Sequence, residues 1–262
     1  MSTELNGPID SVGKLAVELD GEGPAVLVIG GLGATSAAFQ IQTEALAQRF
    51  RVIRPDLEGA GRTPLTGPLS IDGYVSDMIG LLDELHIPTA HLIGHSMGTV
   101  IARRIAAQHP DRVTSLTLLC AVGEPADGGA GLRIRAEAIR TDGVRAAATQ
   151  ILTIATSAAT RRDKPVAAAL VRSLMLSQNQ EGYAQSYEAL ASAGRPDEID
   201  PGIPLLLITG ADDPIGPPAE SQKIAATHGN AIVHIIDDCG HWPMLEAHET
   251  VTNDVSQFLE KA

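Results

Sequence analysis

The chain reads as an α/β fold: a mostly parallel central sheet flanked by helices, with a block of helices inserted before the last strands. Three observations predict this. Short β-rich runs alternate with helical stretches over residues 1–122. No strand pattern occurs between 123 and 202. Strand character then resumes, so residues 1–122 and 203–262 form one core and 123–202 an inserted helical lid.

Taken in order, residues 14–19 alternate and read as an exposed strand. Ala25-Val26-Leu27-Val28-Ile29 and Arg51-Val52-Ile53-Arg54 read as inner strands, with an amphipathic helix over about 40–50 between them. Residues 71–85 read as a second helix, opened by Ser70 as N-cap with Asp72 in its first turn. A strand ends at His91-Leu92-Ile93, a helix runs to Gln108, and a strand covers 113–119. Such βαβ alternation implies parallel strands joined by right-handed crossovers. Helical patterns then run roughly over 132–159, 165–176 and 181–193. Strands at 204–209 and 231–236 and a helix over 246–260 close the chain. An all-helical insertion between two strands sits over the sheet's C-terminal edge, where α/β sites lie.

With 262 residues and 44% hydrophobic content, the chain has material for one large domain with a sizeable core. It carries one Trp, three Tyr and three Phe, so that core is aliphatic and offers no stacking platform for bases. A net charge of −13 argues against nucleic acid and anionic membrane surfaces as partners. The block 123–202 is different: nine basic side chains stand against ten acidic ones, leaving it about neutral. Solvated helix faces with ion pairs at helical spacing account for this; so does one lid arginine reaching inward to hold an anionic substrate group. The N-terminal Met1-Ser2-Thr3-Glu4-Leu5-Asn6-Gly7-Pro8 lacks the layout of a signal peptide, and no apolar run reaches membrane-spanning length, so a cytoplasmic protein is expected. Cys120 and Cys239 form no metal-spacing motif and read as free, buried thiols. Neither a metal nor an organic cofactor is implied, and nothing assigns an oligomeric state.

Gly94-His95-Ser96-Met97-Gly98 lies between the strand ending at Ile93 and the helix that follows. Strand, G-x-S-x-G, helix is the context of a nucleophile elbow. Small neighbours let the backbone tighten around the serine, and the helix start turns free N–H groups toward charge developing there. A serine needs a base, and the base an orienting acid. Two later loops that follow strands supply them: Gly210-Ala211-Asp212-Asp213-Pro214 and Cys239-Gly240-His241-Trp242-Pro243. The other seven histidines fall on helix ends, strands or packing positions, and His95, inside the elbow, should point away from Ser96. An oxyanion would be held by the N–H of Met97 and by the glycine-rich loop Gly30-Gly31-Leu32-Gly33, with the Leu32 N–H as donor and Gly31 against the substrate. Neither G-x-G-x-x-G nor a phosphate-binding lysine follows that loop.

These stretches, together with Pro55-Asp56-Leu57-Glu58-Gly59-Ala60-Gly61-Arg62, resemble the α/β-hydrolase superfamily over nearly the full length. More narrowly, Leu32-Gly33-Ala34-Thr35 and Glu181-Gly182-Tyr183-Ala184 resemble the 3-oxoadipate enol-lactonase-like branch. The resemblance implies the acid is Asp213, three residues after the strand-ending glycine, with Asp212 a turn residue. The alternative place for the acid, after the strand ending at Leu119, holds Cys120, Ala121 and Val122. It also implies a cofactor-free hydrolase of a small carboxylic ester or lactone, acting through Ser96, His241 and Asp213. Leu174, Met175, Tyr183 and Trp242 would line an apolar substrate pocket. C–C bond hydrolysis and perhydrolysis use the same three groups, and a non-catalytic receptor can keep the same fold. Where Gly30 and Ala60 stand, the superfamily usually or often has His. Ser96 at the elbow excludes the relatives whose nucleophile is Asp.

Overall fold

The structure, a computed structural model, describes residues 9–125 and 127–262. The N-terminal octapeptide read above for a leader lies outside the described residues. The strands are β1 (Ile9–Val12), β2 (Leu15–Asp20), β3 (Ala25–Ile29), β4 (Arg51–Pro55), β5 (Ala90–His95), β6 (Val113–Leu119), β7 (Leu205–Gly210) and β8 (Ile232–Ile236). The helices are α1 (Gln40–Leu46), α2 (Ile71–Glu84), α3 (Met97–Gln108), α4 (Ala130–Asp142), α5 (Val144–Ala155), α6 (Ala158–Asp163), α7 (Pro165–Leu176), α8 (Gln180–Ala191), α9 (Pro218–His228), α10 (Pro243–Glu246) and α11 (His248–Leu259).

One sheet runs β1-β2-β4-β3-β5-β6-β7-β8. Strands β1 and β2 pair antiparallel with their neighbours, and every pairing from β4 to β8 is parallel. Alternation along β3 explains the layers. Ala25, Leu27 and Ile29 join α2 and α3 in one core cluster, while Val26 and Val28 join α1 and α11 in the other. A strand covered on both faces must be apolar on both, as β3 is. From β3 the chain goes outward to β4 and then returns across the sheet to β5. The crevice beyond the carboxyl ends of β3 and β5 is therefore the topological switch point, where α/β sheets bind ligands.

Several expectations needed correction. Residues 14–19 were expected to be exposed, yet Leu15, Ala16 and Val17 are buried. The cause is β1, which pairs on the outer side and makes β2 an interior strand. The helical pattern over 132–159 is three helices: Gly143 at φ +81 ends α4, and Ser157 caps α6 by accepting from the Thr160 N–H. Apolar periodicity reads straight through such a break because side chains on both sides face one core. The closing helix likewise begins at His248, after a separate turn at α10. Helix α9 carries only a weak apolar stripe, Ile224 with Ser221 and His228 buried beside it, and shows no pattern in sequence.

Candidate active site

Ser96 stands between the last residue of β5 and the first of α3 at φ +54, ψ −119. A left-handed backbone at a non-glycine residue costs about 1–3 kcal/mol, and it persists only where the surroundings hold it. The surroundings are the flanking glycines. A Cβ on Gly94 would meet the Gly98 carbonyl oxygen at 2.5 Å, and one on Gly98 would meet the Ile29 carbonyl oxygen at 2.1 Å. The start of α3 is thus pressed against the end of β3. Met97 is the first helical residue, so its N–H has no acceptor within the helix. The loop after β3 lies against the same point, since a Cβ on Gly31 would fall 2.6 Å from the Ser96 Cβ. Leu32 follows it and lines the cavity described below.

The Ser96 hydroxyl lies 2.8 Å from His241 Nε2, and His241 Nδ1 lies 2.8 Å from Asp213 Oδ2. Because a carboxylate only accepts, Nδ1 carries the proton and Nε2 accepts from Ser96. Asp213 Oδ1 accepts from the N–H groups of Ile215 (2.8 Å) and Gly216 (3.1 Å). Burial works to raise the Asp213 pKa, but the His241 imidazole and the Ile215 N–H hold it below the ordinary carboxylate value. All three side chains are buried. Such an arrangement can take a proton from a serine hydroxyl and stabilise the imidazolium that results.

Two further residues hold the histidine and a third lies beside its acid partner; sequence reasoning assigned none of them to the site. Glu246 is buried and accepts three backbone N–H groups: Gly240 and Ser157 at Oε2, Trp242 at Oε1. It clamps the His241 loop on both sides and ties it to the α5–α6 junction. The only prior signal was an acid at the end of Gly240-His241-Trp242-Pro243-Met244-Leu245-Glu246. His95 Nε2–H donates to the His241 carbonyl at 2.7 Å. Burial, reinforced by His241, pushes its pKa down to about 3, so the ring is neutral. Cys120 fills the alternative position for the acid. Its thiol sulfur lies within 4.8 Å of the Asp213 and His241 ligand atoms. Burial and the neighbouring carboxylate raise the thiol pKa well above its usual value, so it is an S–H donor beside Asp213. Cys239 is also a free, buried thiol.

Ser96 and His241 open onto a cavity of about 60 Å³. Its apolar wall comes from Leu32, Val122, Ile215 and Trp242 of the core and Leu132, Ile151, Ala155, Met175 and Leu190 of the helical block. Tyr183, Tyr187 and Arg135 supply its other polar groups. Of the residues expected to line a pocket, Met175, Tyr183 and Trp242 are in this wall. Gly31 abuts Ser96, and Leu174 is buried in the adjoining core cluster outside the lining. A groove of about 530 Å³ beside β7, β8 and α11 is larger but contains none of the Ser96 set. No described helix is long and apolar enough to cross a membrane.

Comparison with known proteins agrees with this architecture. Residues 24–248 match the family model described as alpha/beta hydrolase fold. The chain is 32% identical over 248 residues to 3-oxoadipate enol-lactonase 2 of Acinetobacter baylyi, covering 91% of this chain and 89% of that protein. It is 29% identical to 2-hydroxymuconate semialdehyde hydrolase of Pseudomonas putida, covering 92% and 89%. Among solved structures, a thermophilic esterase from Thermogutta terrifontis, with malate bound, superposes with TM-score 0.89 at 30% identity over 94% of this chain and 93% of that one. The enol-lactonase from Burkholderia xenovorans superposes at 0.82 with 29% identity, covering 94% and 96%.

Proposed function

From the premise that the chain belongs to the alpha/beta hydrolase family, we propose that it is a serine hydrolase of a small carboxylic ester or lactone, working through an acyl-enzyme. The observation that carries this reading is the unbroken line of hydrogen bonds from Ser96 through His241 to Asp213, buried at the switch point of the sheet. Ser96 Oγ attacks the carbonyl carbon while His241 Nε2 takes its proton. The tetrahedral oxyanion is held by the N–H groups of Met97 and Leu32. As the intermediate collapses, the C–O bond breaks and the imidazolium gives its proton to the leaving alkoxide. Water, deprotonated by His241, then attacks the acyl-Ser96 ester and releases the acid. Asp213 keeps the imidazole in the required tautomer and stabilises its charge throughout. Residues 123–202 act as the lid that shapes the acyl pocket, and its aliphatic wall favours a compact apolar acyl or ring portion.

An activated ester such as p-nitrophenyl acetate tests the reading. The expected result is a burst of one nitrophenolate per protein followed by slower turnover. Ser96→Ala should abolish the burst and lower kcat by at least about 10⁴-fold. Turnover unchanged by Ser96→Ala would overturn it. The likeness to a 2-hydroxymuconate semialdehyde hydrolase supports a second reading, C–C bond hydrolysis by the same three groups. Product analysis on a vinylogous diketone separates the two.

A further inference from the structure

Leu32 sits in a loop that has little of its own to fix it. Gly30, Gly31 and Gly33 bring no side chain, and Leu32 and Ala34 bring no polar one. The position of the Leu32 N–H is therefore set largely by the two ends of the loop. At the first end Ile29 is paired with Gly94 across β3 and β5. At the second end Ser36 opens a short 3₁₀ turn, Ser36–Phe39.

Every polar group of Ser36 is held by a charged side chain. Its N–H donates to Asp56 Oδ1 at 2.8 Å, and its carbonyl accepts from Arg54 Nη1 at 3.0 Å. Its hydroxyl accepts from Arg62 Nη2 at 2.8 Å and donates to Glu18 Oε1 at 3.1 Å. These side chains also bind one another. Arg62 bridges Asp56 (2.7 Å) and Glu18 (2.8 Å), while Arg54 pairs with Glu18 and Asp20, both at 2.8 Å. Glu18 and Asp20 belong to β2 and Arg54 to β4, so the network is rooted in two strands of the sheet.

The turn after β4 also packs on the loop directly. Asp56 Oδ2 accepts the Arg62 backbone N–H at 3.0 Å, and Gly61 passes beneath it at φ +53. A Cβ on Gly61 would fall 2.5 Å from Asp56 Oδ2 and 2.9 Å from the Thr35 methyl. Ser36, Arg54 and Asp56 are buried. Buried charges are costly to leave unpaired, so a change in one member is felt by the rest. Bonds in several directions at once admit one geometry, whereas aliphatic packing admits several.

Building on the hydrolase reading, we propose that Asp56 and Arg62, acting through Ser36, are positioning residues that hold the Leu32 N–H at the oxyanion. Loosening Ser36 lets the loop move away from Ser96, and the donor is lost while the three reacting side chains stay in place.

The test compares phenyl acetate with its thiono counterpart, in which sulfur replaces the carbonyl oxygen. Sulfur accepts hydrogen bonds poorly, so the preference for the oxygen ester in kcat/KM reads the oxyanion donors rather than the general integrity of the fold. Asp56→Asn turns an amide N–H₂ toward the Arg62 donors. It should lower that preference about tenfold, through kcat with KM little changed. Arg62 reaches solvent, so Arg62→Ala should fold even where Asp56→Asn does not. It should lower the preference less, and Arg62→Lys should recover part of it. An unchanged preference in folded Asp56→Asn or Arg62→Ala, or equal losses on both esters, would overturn the proposal. In parallel, hydrogen exchange read by mass spectrometry follows the peptide over 30–36. Its amides should exchange about tenfold faster in the variants than in the wild type, and equal exchange would also overturn the proposal. This arm needs no turnover. If the wild type cleaves neither ester, the hydrolase reading falls, while faster exchange still supports the anchor at Ser36.

Discussion

The crease between β3 and β5 and the helical block over it are built by different physics. In the crease, backbone is pressed on backbone. Gly31, Gly94 and Gly98 have no room for a Cβ, Ser96 sits at positive φ, and buried hydrogen bonds fix His241 from Asp213, His95 and Glu246. In the block, small and aliphatic side chains pack by volume: Ala136, Ala148, Ala155 and Ala184 let α4, α5 and α8 approach, while Met175 and Leu132 set the cavity wall. Steric and hydrogen-bond constraints tolerate almost no change, whereas aliphatic packing tolerates much. The chemistry is thus held rigid while the pocket is free to vary.

Substitutions can break or sharpen that contrast. The largest effect is expected at Gly31→Ala, whose new Cβ would force the loop proposed to hold the oxyanion off Ser96. Loss of one donor lowers kcat by about 10²–10³-fold, measurable in steady-state kinetics with a near-normal melting temperature. Glu246→Ala comes next. It leaves three buried N–H groups without their acceptor, so denaturant titration should show a loss of about 3 kcal/mol. kcat should fall more than KM rises, because the substrate pocket itself is untouched. Glu246→Gln, which keeps one oxygen, should recover part of both.

Met175→Ala should act on the other side of the comparison. A cavity in that wall of the helical block costs about 2–3 kcal/mol of stability. It should shift acyl-chain preference toward longer chains by about tenfold in kcat/KM, without altering the burst. A pH dependence completes the set. Below about pH 6.5 an unfolded chain protonates residue 95, while the native ring stays neutral until about pH 3. The unfolded state then binds more protons, so stability falls as pH drops through that window. The depressed Asp213 pKa acts in the same direction at its lower end, since its carboxylate's stabilising contribution is lost as pH falls through the folded value. His95→Asn should flatten stability against pH by up to about 1.4 kcal/mol per unit, read from melting curves between pH 7 and 4.

Legibility in the sequence follows the same division. The strand runs, the elbow and the two later loops were readable because each rests on local rules: apolar runs, glycines where backbone crowds, and chain order. The interior position of β2 was not, because β1, joined to it by the two-residue turn Gly13-Lys14, is only four residues long and holds no apolar run. Gly143 hid inside an apolar period that continues across it. The reach of Glu246 to Ser157 and of Cys120 to Asp213 could not be read, because 89 and 93 residues separate them in the chain and only the fold brings them together.

Covalent labelling tests most directly whether the crease is a working serine site. The protein is treated with a fluorophosphonate and the adduct located by mass spectrometry. One adduct is expected, on Ser96, absent in Ser96→Ala and formed at least about 10²-fold more slowly in His241→Ala. Labelling of the wild type no faster than of Ser96→Ala would contradict it.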